Sequence, residues 1–253
     1  MSIIDSYHEF SEPLIKIKDT YPKSDIAFQA FIVTFSRRII EALLEEKLIE
    51  VVSLDLIKCV SCDFPVYRFI GTNIGIVKTT VGAPITTAII EEVSYIYSCN
   101  KVVLFGNCGS LDKSIPINKL MVISDAYRDE GVSYHYMKPS DYIKIKNFEK
   151  VCQIFDEHKI EYVTGKTWTT DAFYRETKEE ILLRKSDGCI AVEMELSACQ
   201  AVCNYCNIEL YNFLYRADNL DSKEWERGQH DSLLSKNKRL EILKVAYLLA
   251  TNI

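Results

Sequence analysis

The sequence predicts an α/β fold whose largely parallel sheet is covered by helices on both faces. Three observations carry that prediction. Short apolar, partly β-branched runs alternate with longer amphipathic ones along most of the chain, the pattern of successive strand–helix units. Several apolar runs end in glycines or carboxylates, and open α/β sheets keep their sites at the carboxyl ends of strands. The sharpest case is Gly188-Cys-Ile-Ala-Val-Glu193-Met-Glu195-Leu-Ser-Ala198, a buried strand that closes on two acids where a helix begins. Residues two apart on a strand share a face, and buried charge is costly unless paired. Glu193 and Glu195 therefore read as ligand-facing, although acids at a solvated helix N-terminus fit the same spacing.

Taken in order, residues 1–25 are polar, carry Pro13 and Pro22, and read as an irregular arm with room for one short helix. Ile26 to Phe35 is a strand, and Ser36 caps a helix that presents Ile39, Ile40, Leu43 and Leu44 on one face. Arg37 and Arg38 occupy its first turn, the unfavourable end of the dipole for cations, which suggests a bound anion. Tyr67 to Gly71 and Ile74 to Thr80 form a hairpin, and Pro84 opens the next helix. Lys101 to Gly106 is a buried strand running into Asn107-Cys-Gly109-Ser110, where glycines let amides converge on an anion or a sugar. Further strands are expected at Leu120–Ser124, Glu161–Thr167, Cys189–Met194 and Glu209–Arg216. Helices are expected at Ile145–His158, Lys178–Lys185, Leu196–Cys206 and Ser232–Leu249.

Nothing in 253 residues reads as a linker, repeat or low-complexity stretch, so one domain over residues 1–253 is expected. With 48% apolar and 26% charged residues the composition is that of a folded globule. A net charge of −6 argues against a nucleic-acid surface. The N-terminus lacks a basic-then-apolar leader and no apolar run reaches membrane-spanning length, so a cytoplasmic location is expected. Of nine cysteines, Cys59 and Cys62 form one CxxC pair, far in sequence from Cys203 and Cys206. Cys199, Cys203 and Cys206 follow helical spacing along an apolar face, which marks them as small buried hydrophobes rather than cluster ligands.

Five blocks occur in a telling order: Val81-Gly-Ala-Pro84, Phe105-Gly-Asn-Cys-Gly109, Thr170-Asp-Ala-Phe-Tyr174, Val192-Glu-Met-Glu195 and Arg216-Ala-Asp-Asn219. From about Phe31 onward the chain resembles the nucleoside phosphorylase superfamily of hexameric purine nucleoside phosphorylases, uridine phosphorylases and related nucleosidases. The resemblance implies a single α/β domain with a mixed, partly barrel-like sheet flanked by helices. It also implies a homodimer or trimer of dimers. Glu195 matches the glutamate that accepts from the ribose 2′- and 3′-hydroxyls, Met194 the residue packed on the sugar, and Glu193 its neighbour. Phe173, with Tyr174 beside it, matches the aromatic that stacks on the base. Asp218 matches the purine enzymes' aspartate, the general acid to N7 of the base, a role that needs burial to hold its proton near pH 7. Arg227 is the candidate for the arginine that assists it. His135, in Gly131-Val-Ser-Tyr-His135, resembles a stretch near the subunit contact and is taken as ribose-side. Arg38, with the backbone of Asn107, Cys108 and Gly109, would hold phosphate.

The departures are specific. Thr177 and Glu179 stand about where uridine phosphorylases place a glutamine and an arginine on uracil, so a purine-type base is favoured. The Gly-Asp-Pro phosphate loop is replaced by Thr34-Phe35-Ser36, and Leu104 stands where an arginine is expected. A neighbour's arginine, expected near Phe64, has only Arg68 as a counterpart. The reading is phosphorolysis of a purine-type nucleoside to free base and ribose-1-phosphate, with inorganic phosphate as co-substrate and no metal or organic cofactor. A hydrolytic nucleosidase and a non-catalytic nucleoside-binding protein remain the alternatives.

Overall fold

The computed structural model describes residues 2–5, 7–9, 11–55, 57, 62–228 and 234–253. The N-terminal arm holds a 3-10 turn at Ile3–Asp5 and one short helix, α1 (Ile17–Thr20). β1 (Ala30–Thr34) follows, buried along its whole length. Ser36 Oγ then accepts from the Ile39 amide at 3.2 Å and starts α2 (Arg37–Glu45), satisfying one of the helix's orphan donors. β2 (Ile49–Ser53), β3 (Val66–Phe69) and β4 (Ile74–Lys78) form an antiparallel meander. α3 (Ala83–Ile96) begins after Gly82, with Pro84 in its first turn.

The second half carries the long strands. They are β5 (Lys101–Ser110), β6 (Leu120–Asp129), β7 (Tyr142–Lys144), β8 (Tyr162–Thr170), β9 (Cys189–Glu193) and β10 (Glu209–Asn219). Between and after them lie α4 (Phe148–Glu157), α5 (Lys178–Ser186), α6 (Leu196–Cys206) and α7 (Lys236–Thr251). The strand order is β10-β6-β8-β9-β5-β1-β4-β3-β2, and β10 also pairs with β5. β5, β10, β6, β8 and β9 therefore close a five-strand ring, from which β1, β4, β3 and β2 extend as an open wing. Pairs β1–β4, β1–β5, β5–β10, β6–β8 and β8–β9 are parallel, whereas β5–β9, β6–β10 and the meander are antiparallel. The sheet is thus mixed and partly barrel-like, as the resemblance implies, and not largely parallel as the strand–helix alternation suggests. Register shifts within β6–β8, β8–β9 and β5–β10 supply the bends that let so few strands curl into a ring.

Two apolar layers flank the sheet. α3 and α6 bury Ile89, Ile90, Val93, Cys199 and Cys203 on one face. α2, α4 and α7 bury Ile39, Leu43, Phe155, Ile242 and Leu243 on the other, around the stacked Phe105 and Phe213 rings, 5.4 Å apart. The Cys199–Cys203–Cys206 string lies on α6, with Cys199 and Cys203 fully buried in that core. Cys59 lies outside the described residues. No helix among them is long and apolar enough to cross a membrane.

Several boundaries differ from expectation. The segment Asn107–Gly109 is not a loop but the end of β5, paired with Tyr215, Arg216 and Asp218 of β10. Its glycines serve close packing: a Cβ on Gly109 would meet Leu220 Cδ1 at 2.5 Å, and one on Gly106 the Phe35 ring at 3.0 Å. β2 and β7 are strands that the periodicity did not reveal, β1 begins at Ala30, and α4 begins at Phe148. The expected start of the last helix, Ser232, lies outside the described residues; α7 begins after Ser235, whose Oγ accepts from the Lys238 amide at 3.2 Å.

Candidate active site

A cavity of about 760 Å³ opens where β5, β9 and β10 end. Leu104, Leu214 and Ala217 line its apolar side, and acids approach it from two directions.

The first acids come from the β9–α6 junction. β9 stops at Glu193, and Glu195 stands at the N-cap of α6 with φ −140° and ψ −29°, so the two do not share a strand face as the spacing suggested. Glu193 curls back instead. Its Oε2 accepts from the Glu195 and Leu196 amides at 2.7 Å each, and its Oε1 from Thr169 Oγ1 at 2.5 Å. Thr169 in turn accepts from the Ser197 amide at 3.1 Å. A buried acid so placed satisfies the orphan donors of α6 and complements its dipole. Burial pushes the Glu193 carboxyl up to about 7, against the pull of those three donors. Glu195 projects further. Its Oε1 accepts from the Gly82 amide at 2.6 Å, which ties the α6 N-terminus to that of α3. Burial, reinforced by the charge of Glu193, pushes the Glu195 carboxyl up to about 8. Met194 lines the cavity between them.

The second group stands across the cavity on β10. A bulge places Arg216 and Ala217 against Cys108, so Asp218 pairs with Gly109 and is re-aimed. Asn219 and Glu226 exchange backbone hydrogen bonds at 3.0 Å, folding residues 220–225 back as a short hairpin. That fold brings Trp225 Nε1 to Asp218 Oδ2, to which it donates at 2.7 Å. The Arg227 guanidinium lies over the Trp225 ring at 5.4 Å and also lines the cavity. The hydrogen bond expected from Arg227 is thus supplied by Trp225.

The mouth is built by the turn after β8. Thr177 caps α5 reciprocally with Glu180, a capping box that fixes the preceding 3-10 turn, Phe173–Arg175. Phe173 and Tyr174 line the opening with ring centroids 4.0 Å apart, and Tyr174 is 90% exposed. Glu176, the next acid, also faces the cavity. Burial, and then the negative charge of Asp218, push its carboxyl up to about 7.

One cavity therefore gathers Glu193, Met194, Glu195, Phe173, Tyr174, Asp218, Arg227 and the strand residues Asn107, Cys108 and Gly109. Two candidates stand apart from it. His135 is exposed at the end of the 3-10 turn Val132–His135, and the Arg38 side chain is exposed on α2, with Phe35 lining the cavity in its stead. Asn107, Cys108 and Gly109 pair in register with Tyr215, Arg216 and Asp218 of β10 and so belong to a strand, not to an anion-binding loop. Trp225 and Glu176 escaped the sequence reading. A tryptophan inside the polar stretch Asp221-Ser-Lys-Glu-Trp225-Glu-Arg227 was the available signal for the first; for Glu176, among several acids near the Phe173-Tyr174 pair, there was none.

A family model described as the phosphorylase superfamily matches residues 32–248. Among curated relatives, a purine nucleoside phosphorylase of DeoD type from Aliivibrio fischeri is 25% identical over 145 residues, 55% of this chain and 61% of that one. An uncharacterised protein, R802, of Acanthamoeba polyphaga mimivirus is 26% identical over 174 residues, 64% of each chain. The matched segment thus spans under two thirds of either relative. Among solved structures, purine nucleoside phosphorylase from Toxoplasma gondii in complex with immucillin-H superposes with a TM-score of 0.72 at 19% identity, covering 89% of this chain and 90% of that one. A futalosine hydrolase mutant of Helicobacter pylori gives 0.70 at 18%, covering 90% and 100%. At these identities the structural likeness speaks to the fold.

Proposed function

The chain belongs to the phosphorylase superfamily, and from that premise we propose that it cleaves the N-glycosidic bond of a purine-type nucleoside, with phosphate as the acceptor of the sugar. The observation that carries this reading is one cavity holding Glu195 on one wall and Asp218 on another, with Phe173 at its mouth.

In this reading Glu195 accepts from the ribose 2′- and 3′-hydroxyls, bonds that strengthen as the sugar becomes cationic. As the C1′–N9 bond breaks, its electron pair goes to the base and the Asp218 proton goes to N7. Trp225 Nε1–H donates to Oδ2, and the transferred proton is assigned to Oδ1, the oxygen on the Gly109 side. The same indole N–H steadies the carboxylate that remains. A phosphate oxygen then forms the new bond to C1′. Phosphorolysis is supported by the names of the DeoD-type relatives. A second copy of the chain, in a homodimer or trimer of dimers, is the proposed source of a further phosphate-binding cation.

Water as the acceptor is the second reading, and a specific observation favours it. Among the described residues, the cations that line the cavity, Lys178, Lys223 and Arg227, all come from the segments that carry Phe173 and Asp218, while Arg38 stands outside. A phosphate dianion in a partly dry site calls for more than one cationic donor. The test is release of free base from a nucleoside panel with and without phosphate. Strict phosphate dependence with ribose-1-phosphate as product supports the first reading. Equal release in phosphate-free buffer replaces it with hydrolysis, and saturable binding without release replaces both with a binding protein.

A further inference from the structure

We propose that Glu176 reads the leaving base: its carboxylate accepts an N–H from an exocyclic amino group, so that the site selects 6-aminopurine nucleosides over 6-oxopurine ones. The inference rests on the reading of the cavity as a nucleoside site. Glu176 lines the same cavity as Asp218 and Phe173. Its carboxylate has no hydrogen-bond or ion-pair partner among the described residues, whereas both oxygens of Glu193 and one of Glu195 are held by the chain itself. Of its polar neighbours, Thr177 and Glu180 cap α5 and Glu179 is exposed outside the cavity, while Lys178 lines the cavity beside it.

The chemistry of a purine links the two acids. On the edge that offers N7 to Asp218, the neighbouring group is the substituent at C6. Asp218 is neutral while it holds the proton for N7, and its charge is one of the influences that push Glu176 up. Without that charge the Glu176 pKa falls from the value to which burial and Asp218 together raise it, and once ionised the carboxylate only accepts hydrogen bonds. A 6-amino group supplies the donor. A 6-oxo group presents lone pairs to a carboxylate, leaving a partly buried acceptor unpaired, the situation that discriminates most strongly between polar ligands.

The test compares binding of 6-amino-, 6-oxo- and unsubstituted purine ribonucleosides by titration calorimetry, in Asp218→Asn protein with and without Glu176→Gln. The Asp218→Asn background keeps position 218 neutral and stops turnover. With Glu176 present, the 6-amino ligand binds about tenfold or more tightly than the other two. Glu176→Gln removes that preference and tightens the 6-oxo ligand, to which its NH2 can donate, while affinity for the unsubstituted purine stays within about twofold. If all three affinities change together, or none changes, Glu176 does not read the base, though the cavity remains a nucleoside site. If no nucleoside binds either protein, the reading of the cavity fails and this inference with it.

Discussion

Glu195→Gln is the most informative single substitution, because the structure dictates how the new side chain must sit. The Gly82 amide approaches Glu195 Oε1 at 2.6 Å, so a glutamine turns its carbonyl oxygen towards Gly82 and its NH2 towards the cavity. A group that accepted from two ribose hydroxyls becomes one that donates. Above about pH 8, where the Glu195 carboxyl is ionised, hydrogen bonds to it are worth about 1.5–3 kcal/mol each, and each 1.4 kcal/mol is about tenfold in affinity or rate. Loss of one bond costs roughly ten- to a hundredfold in kcat/KM, and loss of both up to about ten-thousandfold. The assay is initial-rate base release from a ribonucleoside and its 2′,3′-dideoxy analogue with each protein. The native protein should prefer the ribonucleoside by a margin that collapses in Glu195→Gln, since the dideoxy analogue has nothing to offer position 195. An undiminished margin would refute the assignment of Glu195 to the sugar.

The same geometry makes further predictions. Asp218→Asn should abolish base release while changing nucleoside affinity by less than about threefold; retained turnover removes Asp218 from the role of acid. Trp225→Phe keeps a ring under Arg227 but deletes the N–H donated to Asp218, and should lower kcat by roughly ten- to a hundredfold with KM nearly unchanged; an unaltered kcat would make the indole a packing residue only. The empty protein should lose stability as pH rises from 5 to 8. Burial raises Glu193 to about 7 and Glu195 to about 8 from an ordinary 4.5, so the folded state holds protons that the unfolded chain releases. The contribution is complete below about pH 4.5 and lost through the folded-state values. For Glu193 alone it amounts to roughly 3 kcal/mol. Urea midpoints of native and Glu195→Gln protein across that range check the sign, and a substitution that leaves the slope unchanged contradicts it.

How much of this was legible in the sequence depended on whether one strand or several defined a feature. α6 was bounded correctly at Leu196–Cys206, and Ser36 was found as the cap of α2, because caps and helical periodicity are local. Parallel or antiparallel pairing is not local, and the ring made by β5, β10, β6, β8 and β9 left no mark on any one segment. Asn107–Gly109 illustrates the cost. Glycines after an apolar run fit an anion loop and a crowded strand end equally well, and only the neighbouring Leu220 and Phe35 decide between them. Glu193 and Glu195 were recognised as a pair, but a two-residue spacing says nothing of a turn between them, which makes one a helix anchor and leaves the other facing the cavity. The Trp225–Asp218 contact depends on a hairpin closed by Asn219 and Glu226, residues whose pairing no periodicity announces.

The central claim is that Glu195 and Asp218 face a single bound nucleoside from opposite ends. A crystal structure of Asp218→Asn protein soaked with a purine ribonucleoside tests it most directly. Both ribose hydroxyls should lie within hydrogen-bond reach of Glu195, with the imidazole edge of the base turned towards position 218. A nucleoside bound elsewhere, or an empty cavity at saturating ligand, would contradict it.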